Sequence, residues 1–327
     1  MRRPCRMAIV VLLVLLVACA PAATPTPTPV PTPVPTATPL PTATPLPPTP
    51  VPSPTPVQGK VSVGDHALAY RCNGVGTPAV VVEADAMAAP VSSTDWDAVL
   101  KGVEPVTRIC LYDRAPLGLS YAAIRARSAQ EVVDDLHNLL QNAQIEGPYV
   151  LVGHSLGGLF VRYYATKYLD ELAGIVLVDA TPPDYGAREL ALLGPASPGE
   201  AKGITQYRRD NTVFWGDTAG MNEARLKVAI AAEQAAQLTS LGDLPLVVLS
   251  RSPTHALDWW EADFYGLPAD LIAKEEQMWQ DMQVEQAKLS TNSSLVVARK
   301  AAHEIQKEEP QLVIDAILQV VEEARKR

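Results

Sequence analysis

Charge is absent over a long stretch of this chain. Between Ala20 and Val57 there is no Asp, Glu, Lys or Arg, and the stretch is built from Pro and Thr with some Ala, Val, Leu and Ser. Such a composition has too little to bury, so no globular core can form there. Cysteine is scarce, four in 327 residues, and histidine only slightly commoner at five. They never cluster at metal-ligand spacing, which argues against a structural or catalytic metal centre, and no other cofactor is expected. Long apolar runs are also missing. The longest, Met7 to Ala18, is too short to span a bilayer comfortably. Basic residues are in the minority, at 27 Lys and Arg against 36 Asp and Glu. A net negative chain without a basic patch excludes nucleic acid as the expected partner.

What is present divides the chain into three parts. Arg2, Arg3 and Arg6 followed by the short apolar run give residues 1–18 the layout of a secretory signal peptide. The run ends Leu16-Val17-Ala18-Cys19, which resembles a bacterial lipobox, and Cys19 is the expected lipidation site. An ordinary signal cut near Ala20, giving a secreted protein, is the alternative. Residues 19–57 hold 16 of the 30 prolines and form a semi-stiff polyproline stalk, at about 3.1 Å per residue a reach on the order of 100 Å. Residues 58–327 are the folded part. The expected setting is an exported protein anchored by lipid to the outer face of the cell membrane. Once Arg2, Arg3 and Arg6 are removed, 24 basic stand against 36 acidic residues, a net of −12.

Within the folded part, apolar runs and helical periodicity alternate. Lys60 to Arg71 reads as a hairpin about Gly64-Asp65, Ala79 to Glu83 as a buried strand, and a helix starts near Trp96. Val106 to Tyr112 is a strand, and Ser128 caps a helix over Glu131 to Asn142. The strand Tyr149 to Val152 runs into Gly153-His154-Ser155-Leu156-Gly157-Gly158 and then a helix over Leu159 to Tyr168. Further strands are Gly174 to Val178, ending at Asp179, then Leu246 to Ser250 and Ser294 to Ala298, and a helix from Gln311 to about Glu323 closes the chain. The alternation predicts an α/β fold with a mostly parallel central sheet and helices on both faces. Residues 184–242 hold no strand pattern and are too long for a plain connection, so a helical cap is expected there, a peripheral helical insert being the alternative.

The G-x-S-x-G pattern between a strand and a helix is the context of a nucleophile elbow, with Ser155 as the exposed nucleophile. Its hydroxyl needs an imidazole to take its proton. His66 lies in the early hairpin, His137 inside a helix and His154 beside the serine. His255 and His303 each follow a strand, and both stand open as the base.

Tyr112-Asp113-Arg114 before a Gly-and-Ser turn, Gly147-Pro148-Tyr149-Val150-Leu151-Val152 running into the elbow, Val176-Leu177-Val178-Asp179-Ala180 and His303 followed by Ile305 and Pro310 resemble the α/β-hydrolase superfamily over nearly all of the folded part. The resemblance implies an α/β-hydrolase fold with a helical cap and a Ser-acid-His triad. It places the base at His303 and the acid at Asp179, with Asp258 as the alternative, because the usual acid position falls near Thr254. The oxyanion hole would be the N–H groups of Leu156 and Ala86. It also sets the strand of Cys72 beside that of Cys110 and so implies a disulfide between them. Asp85, Met87 and Pro116 stand where the family more often has glycine. The expected function is hydrolysis of a small-molecule carboxylic ester through an acyl-enzyme. Alternatives are amidase, thioesterase or other chemistry on the same triad, or a degenerate fold that binds a surface ligand. Trp215, Trp259, Trp260 and Trp279 read as core packing rather than pocket lining.

Overall fold

A computed structural model describes residues 56–120, 126–216, 226–255 and 264–327. The signal, Cys19, nearly all of the stalk, Asp258, Trp259 and Trp260 lie outside these residues. The frame is an eight-stranded sheet: β1 (Val57–Ser62), β2 (Ala67–Asn73), β3 (Ala79–Glu83), β4 (Ile109–Tyr112), β5 (Tyr149–His154), β6 (Leu172–Val178), β7 (Leu246–Ser250) and β8 (Ser293–Val297). Their order across the sheet is β1-β2-β4-β3-β5-β6-β7-β8. β1 and β2 form an antiparallel pair, β2 joins β4 antiparallel, and every later pairing is parallel.

The helices follow from the same alternation: α1 (Asp97–Val103), α2 (Ala129–Asn142), α3 (Gly157–Lys167), α4 (Tyr185–Leu193), α5 (Lys202–Phe214), α6 (Val228–Ala235), α7 (Ala269–Ala287), α8 (Ile305–Glu308) and α9 (Pro310–Ala324). Ser128 and Glu131 close a capping box at the start of α2, each satisfying backbone or side-chain groups of the other's turn. Pro310 occupies the first turn of α9, where its missing N–H costs nothing.

Because successive strand residues point to opposite faces, each central strand feeds two cores. Val81, Leu151, Ile175 and Val248 pack with Leu136 and Leu139 of α2, Phe160 of α3 and Ala231 of α6. Val80, Val82, Val150, Val152, Val176 and Val178 pack on the other face with Val99 of α1 and Val313, Ile317 and Val320 of α9. β5 is buried along its whole length, as a strand covered on both faces must be. Cys72 and Cys110 are directly opposed on β2 and β4 and are joined as a disulfide.

The stretch 184–242 supplies α4, α5 and α6. α6 packs against α2 and α3, whereas α4 and α5 contact one another. One long element went unread in the sequence: α7, 19 residues between the cap and β8. Its buried face is Glu275, Glu276, Trp279, Met282, Gln283 and Gln286, so its inward stripe is mostly polar and invisible to a search for apolar periodicity.

Candidate active site

The parallel strands bring their carboxyl ends to one edge, the place where α/β sheets present functional groups. Asp85 follows β3, Ser155 follows β5, Asp179 follows β6, Arg251 follows β7 and His303 follows β8. Residues 124 apart in the chain thereby become neighbours: His303 Nδ1 lies 2.7 Å from Asp179 Oδ2.

Ser155 has φ 54°, a left-handed conformation that a non-glycine residue holds only when its surroundings enforce it. Here the enforcement is visible. Ser155 N–H donates to Val178 O at 3.3 Å, and Ser155 O accepts from Gly158 N–H at 3.0 Å and Thr181 N–H at 2.9 Å. The flanking glycines allow the close approach. A Cβ on Gly157 would sit 2.1 Å from Glu83 O, and one on Gly158 2.5 Å from Ala180 Cβ. Ser155 therefore stands at the N-terminal end of α3, beside Leu156, whose N–H belongs to the unpaired first turn of that helix.

Asp179 also has a left-handed φ, 39°, and its N–H donates to Leu249 O at 2.7 Å. Its side chain has no exposed surface, and four donors among the described residues meet it. Oδ1 accepts from Trp279 Nε1 at 2.8 Å and from Arg251 N–H at 3.0 Å. Oδ2 accepts from His303 Nδ1 at 2.7 Å and from Arg251 Nη1 at 3.4 Å. Burial alone would push this carboxyl up, but the Arg251 guanidinium and the His303 hydrogen bond more than offset it, and the group falls to about 2. It is a carboxylate at any ordinary pH.

Arg251 is itself buried and held on its other side. Its Nε and Nη2 donate to Glu276 Oε2 at 3.0 and 2.8 Å, and its guanidinium lies 4.4 Å from the Trp279 ring. Glu276 and Trp279 are one helical turn apart on α7, so one helix face supplies both. Gln280 of the same helix donates to Arg251 O at 3.0 Å, and Gln283 and Gln286 donate to Ala180 O at 3.0 and 2.9 Å. Trp279 is thus no plain core residue. The signal that could have found it is a 19-residue run without Gly or Pro whose residues 275, 279, 282 and 286 share one face.

The loop after β3 is shaped by Arg114, which donates to Ala84 O at 3.1 Å and Ala86 O at 2.9 Å and also to Asp85 O. A trans peptide points its C=O and N–H in opposite directions. With the Asp85 carbonyl on Arg114, the Ala86 N–H faces away from it. The Asp85 carboxylate accepts the Met87 N–H at 2.9 Å, folding back on its own loop. Burial acts to raise the Asp85 carboxyl, but His154, the Met87 N–H, His303 and Arg114 outweigh it and the net shift is downward. Arg114 also pairs with Glu83, to which Tyr112 donates as well. Burial raises the Glu83 carboxyl, and Arg114 and Tyr112 bring it only part of the way back. Arg114→Met, which leaves that carboxylate buried without its cation, is expected to destabilise the fold by about 3–5 kcal/mol in urea denaturation. A loss below about 1 kcal/mol would contradict this role for the ion pair.

His154 is fully buried beneath the site. Its Nε2 donates to His303 O at 3.1 Å, and the two rings are 4.8 Å apart. Burial and the neighbouring His303 push the His154 imidazole down from its ordinary value. His66 lies away from this edge, with Nε2 2.7 Å from Asp135 Oδ2, and the His137 ring stacks on Tyr168. His255 falls in the 3₁₀ turn Pro253–His255.

Ser155, Leu156, Ala86 and His303 all line one cavity of about 630 Å³. Its far wall comes from α4 and α5, through Tyr185, Glu189, Tyr207 and Phe214, with Trp215 and Trp279 completing it. The cap thus covers the serine, and both described tryptophans of this group face the cavity rather than only the core. Glu189 and Glu275 are buried in this wall. Tyr207 and Trp215 donate to Glu189 at 2.6 and 2.8 Å, and Tyr185 donates to Glu275 at 2.8 Å.

The chain belongs to the alpha/beta hydrolase family, whose family model matches residues 66–316. The uncharacterised protein YqjL of Bacillus subtilis is 26% identical over 229 residues, 70% of this chain and 79% of that protein. The bifunctional esterase/perhydrolase DCH of Acinetobacter calcoaceticus is 35% identical over 96 residues, 29% of this chain and 34% of its own. Among solved structures, a thermophilic esterase from Thermogutta terrifontis superposes with a TM-score of 0.51 at 21% identity, covering 82% of this chain and 99% of the esterase. At that identity the structural likeness is one of fold.

Proposed function

We propose that this chain is a serine hydrolase of carboxylic esters, working outside the cytoplasmic membrane through an acyl-enzyme. One observation carries this reading: Ser155, held in a left-handed elbow, shares a covered cavity with His303, whose Nδ1 is 2.7 Å from Asp179. With Nδ1 donating to the carboxylate, the imidazole carries its basic lone pair on Nε2. In this scheme Nε2 takes the Ser155 proton as Oγ attacks the ester carbonyl, and the tetrahedral oxyanion is met by the Leu156 and Ala86 N–H groups. His303 then returns the proton to the leaving alkoxide. Water, deprotonated by the same imidazole, releases the carboxylic acid and restores Ser155. The 630 Å³ volume and its aromatic wall suit a substrate of moderate size with an apolar part. The partial likeness to an esterase/perhydrolase points the same way.

The disulfide between Cys72 and Cys110 is compatible with export, since such bonds persist in oxidising compartments. The lipidated Cys19, the stalk and the anchored location belong to this proposal. Purified protein is expected to turn over p-nitrophenyl butyrate, and turnover no greater than that of Ser155→Ala would overturn the reading. Globomycin treatment of expressing cells is expected to leave the leader uncleaved, and radiolabelled palmitate is expected to be lost in Cys19→Ala. Mature protein unaffected by either would place Cys19 outside lipid processing.

One observation favours a second reading, a cavity that binds without reacting. The Asp85 carboxylate sits in the loop proposed to hold the oxyanion, where negative charge opposes the developing alkoxide. On the hydrolase reading, Asp85→Asn is expected to raise kcat, on the order of several-fold. A variant slower than wild type would assign Asp85 a positive role instead.

A further inference from the structure

The acid of the site shares its histidine-binding oxygen with an arginine. Asp179 Oδ2 accepts both His303 Nδ1, at 2.7 Å, and Arg251 Nη1, at 3.4 Å. Arg251 also donates its backbone N–H to Oδ1 at 3.0 Å, so the residue grips the carboxylate from two directions. Arg251 stands directly after β7, so at this sheet edge a cation rather than a carboxylate meets Asp179. The guanidinium cannot drift away. Glu276 holds it through two nitrogens, and Trp279 underlies it while donating to the same Asp179.

We propose that Arg251 is a positioning residue for the Asp179–His303 pair, fixing the carboxylate from two directions and setting a fixed cation against the oxygen on which an imidazolium would rest. This deepens the serine-hydrolase reading and rests on it for the role of His303. Two cations compete for one carboxylate oxygen. Protonating His303 places a second cation against an oxygen that Arg251 already occupies, and in a buried site that repulsion is weakly screened. Among the described residues, the other charged or titratable groups against His303 are His154 from β5, Asp85 from the loop after β3 and Glu304 beside it in the chain, with Tyr185 of α4 and Glu275 of α7 on the same cavity. Glu276 acts in the opposite sense to Arg251, because it neutralises the guanidinium that it holds.

The two partners therefore predict shifts of opposite sign. A rate-limiting imidazole must be unprotonated, so activity falls below its midpoint. Removing the guanidinium in Arg251→Met lets the imidazolium form more readily. The acid limb of kcat/KM is then expected to move up by about one pH unit, about a tenfold loss relative to wild type at any pH below both midpoints. Arg251→Lys, which keeps a charge, is expected to move it less. Glu276→Gln frees the guanidinium charge and is expected to move the limb down. A residue that merely held the fold would lower the plateau and the thermal midpoint and leave the limb where it was.

The same shift is readable without turnover, by NMR titration of the His303 ring in Ser155→Ala protein with and without each second substitution. Opposite displacements of the His303 midpoint in the Arg251→Met and Glu276→Gln backgrounds support the inference. Unmoved midpoints, or displacements of the same sign, overturn it. Should Arg251→Met fail to fold, the downward displacement in Glu276→Gln decides alone. Absence of Ser155-dependent ester turnover would overturn the hydrolase reading and leave this titration result standing by itself.

Discussion

Ser155→Ala is expected to lower kcat on p-nitrophenyl esters by roughly 10⁴-fold or more while KM changes little. The elbow explains why the loss is so large and so specific. Every backbone contact that enforces the left-handed φ of 54° is made by main-chain atoms of Ser155, so alanine keeps the turn, the Leu156 N–H and the cavity wall. What disappears is one oxygen, and with it the acyl-enzyme of the proposed mechanism. An unchanged circular dichroism spectrum and melting temperature should accompany the loss. A variant that retained more than about a hundredth of wild-type kcat would mean that a bound water can be the attacking group and that the serine is not the nucleophile.

Asp179→Asn is expected to cost about 10⁴-fold in kcat for a different reason. The carboxylate is acceptor-only, and all four of its described partners donate to it. An amide must turn its NH₂ towards one pair of them. Facing His303 and Arg251, that NH₂ would force the imidazole into the tautomer with its proton on Nε2, which cannot accept from Ser155. Facing Trp279 Nε1 and the Arg251 N–H, it would set two buried donors against a third. Both placements are costly, so the melting temperature should fall as well, and kcat should be compared at a temperature where the variant is folded. Asp258→Asn is expected to stay within about threefold of wild type if Asp179 is the acid, since a carboxylate that does not hold the base contributes little. A large loss in Asp258→Asn with Asp179→Asn nearly unaffected would exchange the two roles.

The features legible in the sequence were those whose physics is local. The elbow needs only a strand, flanking glycines and a helix start, all within ten residues, although the contacts that demand those glycines come from Glu83 O and Ala180 Cβ elsewhere in the chain. The alternation of buried strands with amphipathic α2 and α9 gave the α/β class by the same kind of local pattern. Pairings over long range depended on sheet order. Cys72 meets Cys110 because β2 lies beside β4, and that adjacency came from the family resemblance rather than from spacing. From the sequence the resemblance favours Asp179 with Asp258 as the alternative, since the usual acid position falls near Thr254; only the folded sheet shows Arg251, just after β7, bonded to Asp179.

What stayed hidden was polar and buried. α7 turns Glu275, Glu276, Gln283 and Gln286 inward, where they satisfy Arg251, Ala180 O and two tyrosines. A sequence pattern that equates inward with apolar has no means of seeing such a face. Trp279 belongs to it, and its indole N–H on Asp179 gives it a place in the site that its bulk alone did not announce. Arg114 is a similar case. It lies in the quoted Tyr112-Asp113-Arg114 run, but its clamp on three carbonyls of the loop after β3 depends on β3 and β4 being neighbours.

On the proposed mechanism Ser155 is an activated nucleophile under a cap, with His303 and Asp179 behind it. The most direct measurement is covalent labelling with a fluorophosphonate probe, mapped by mass spectrometry of the digested protein. One phosphonate on Ser155 in wild type, none in Ser155→Ala, and markedly slowed labelling in His303→Ala is the predicted result. A folded wild-type protein that stays unlabelled, or that carries the phosphonate on another residue, would contradict it.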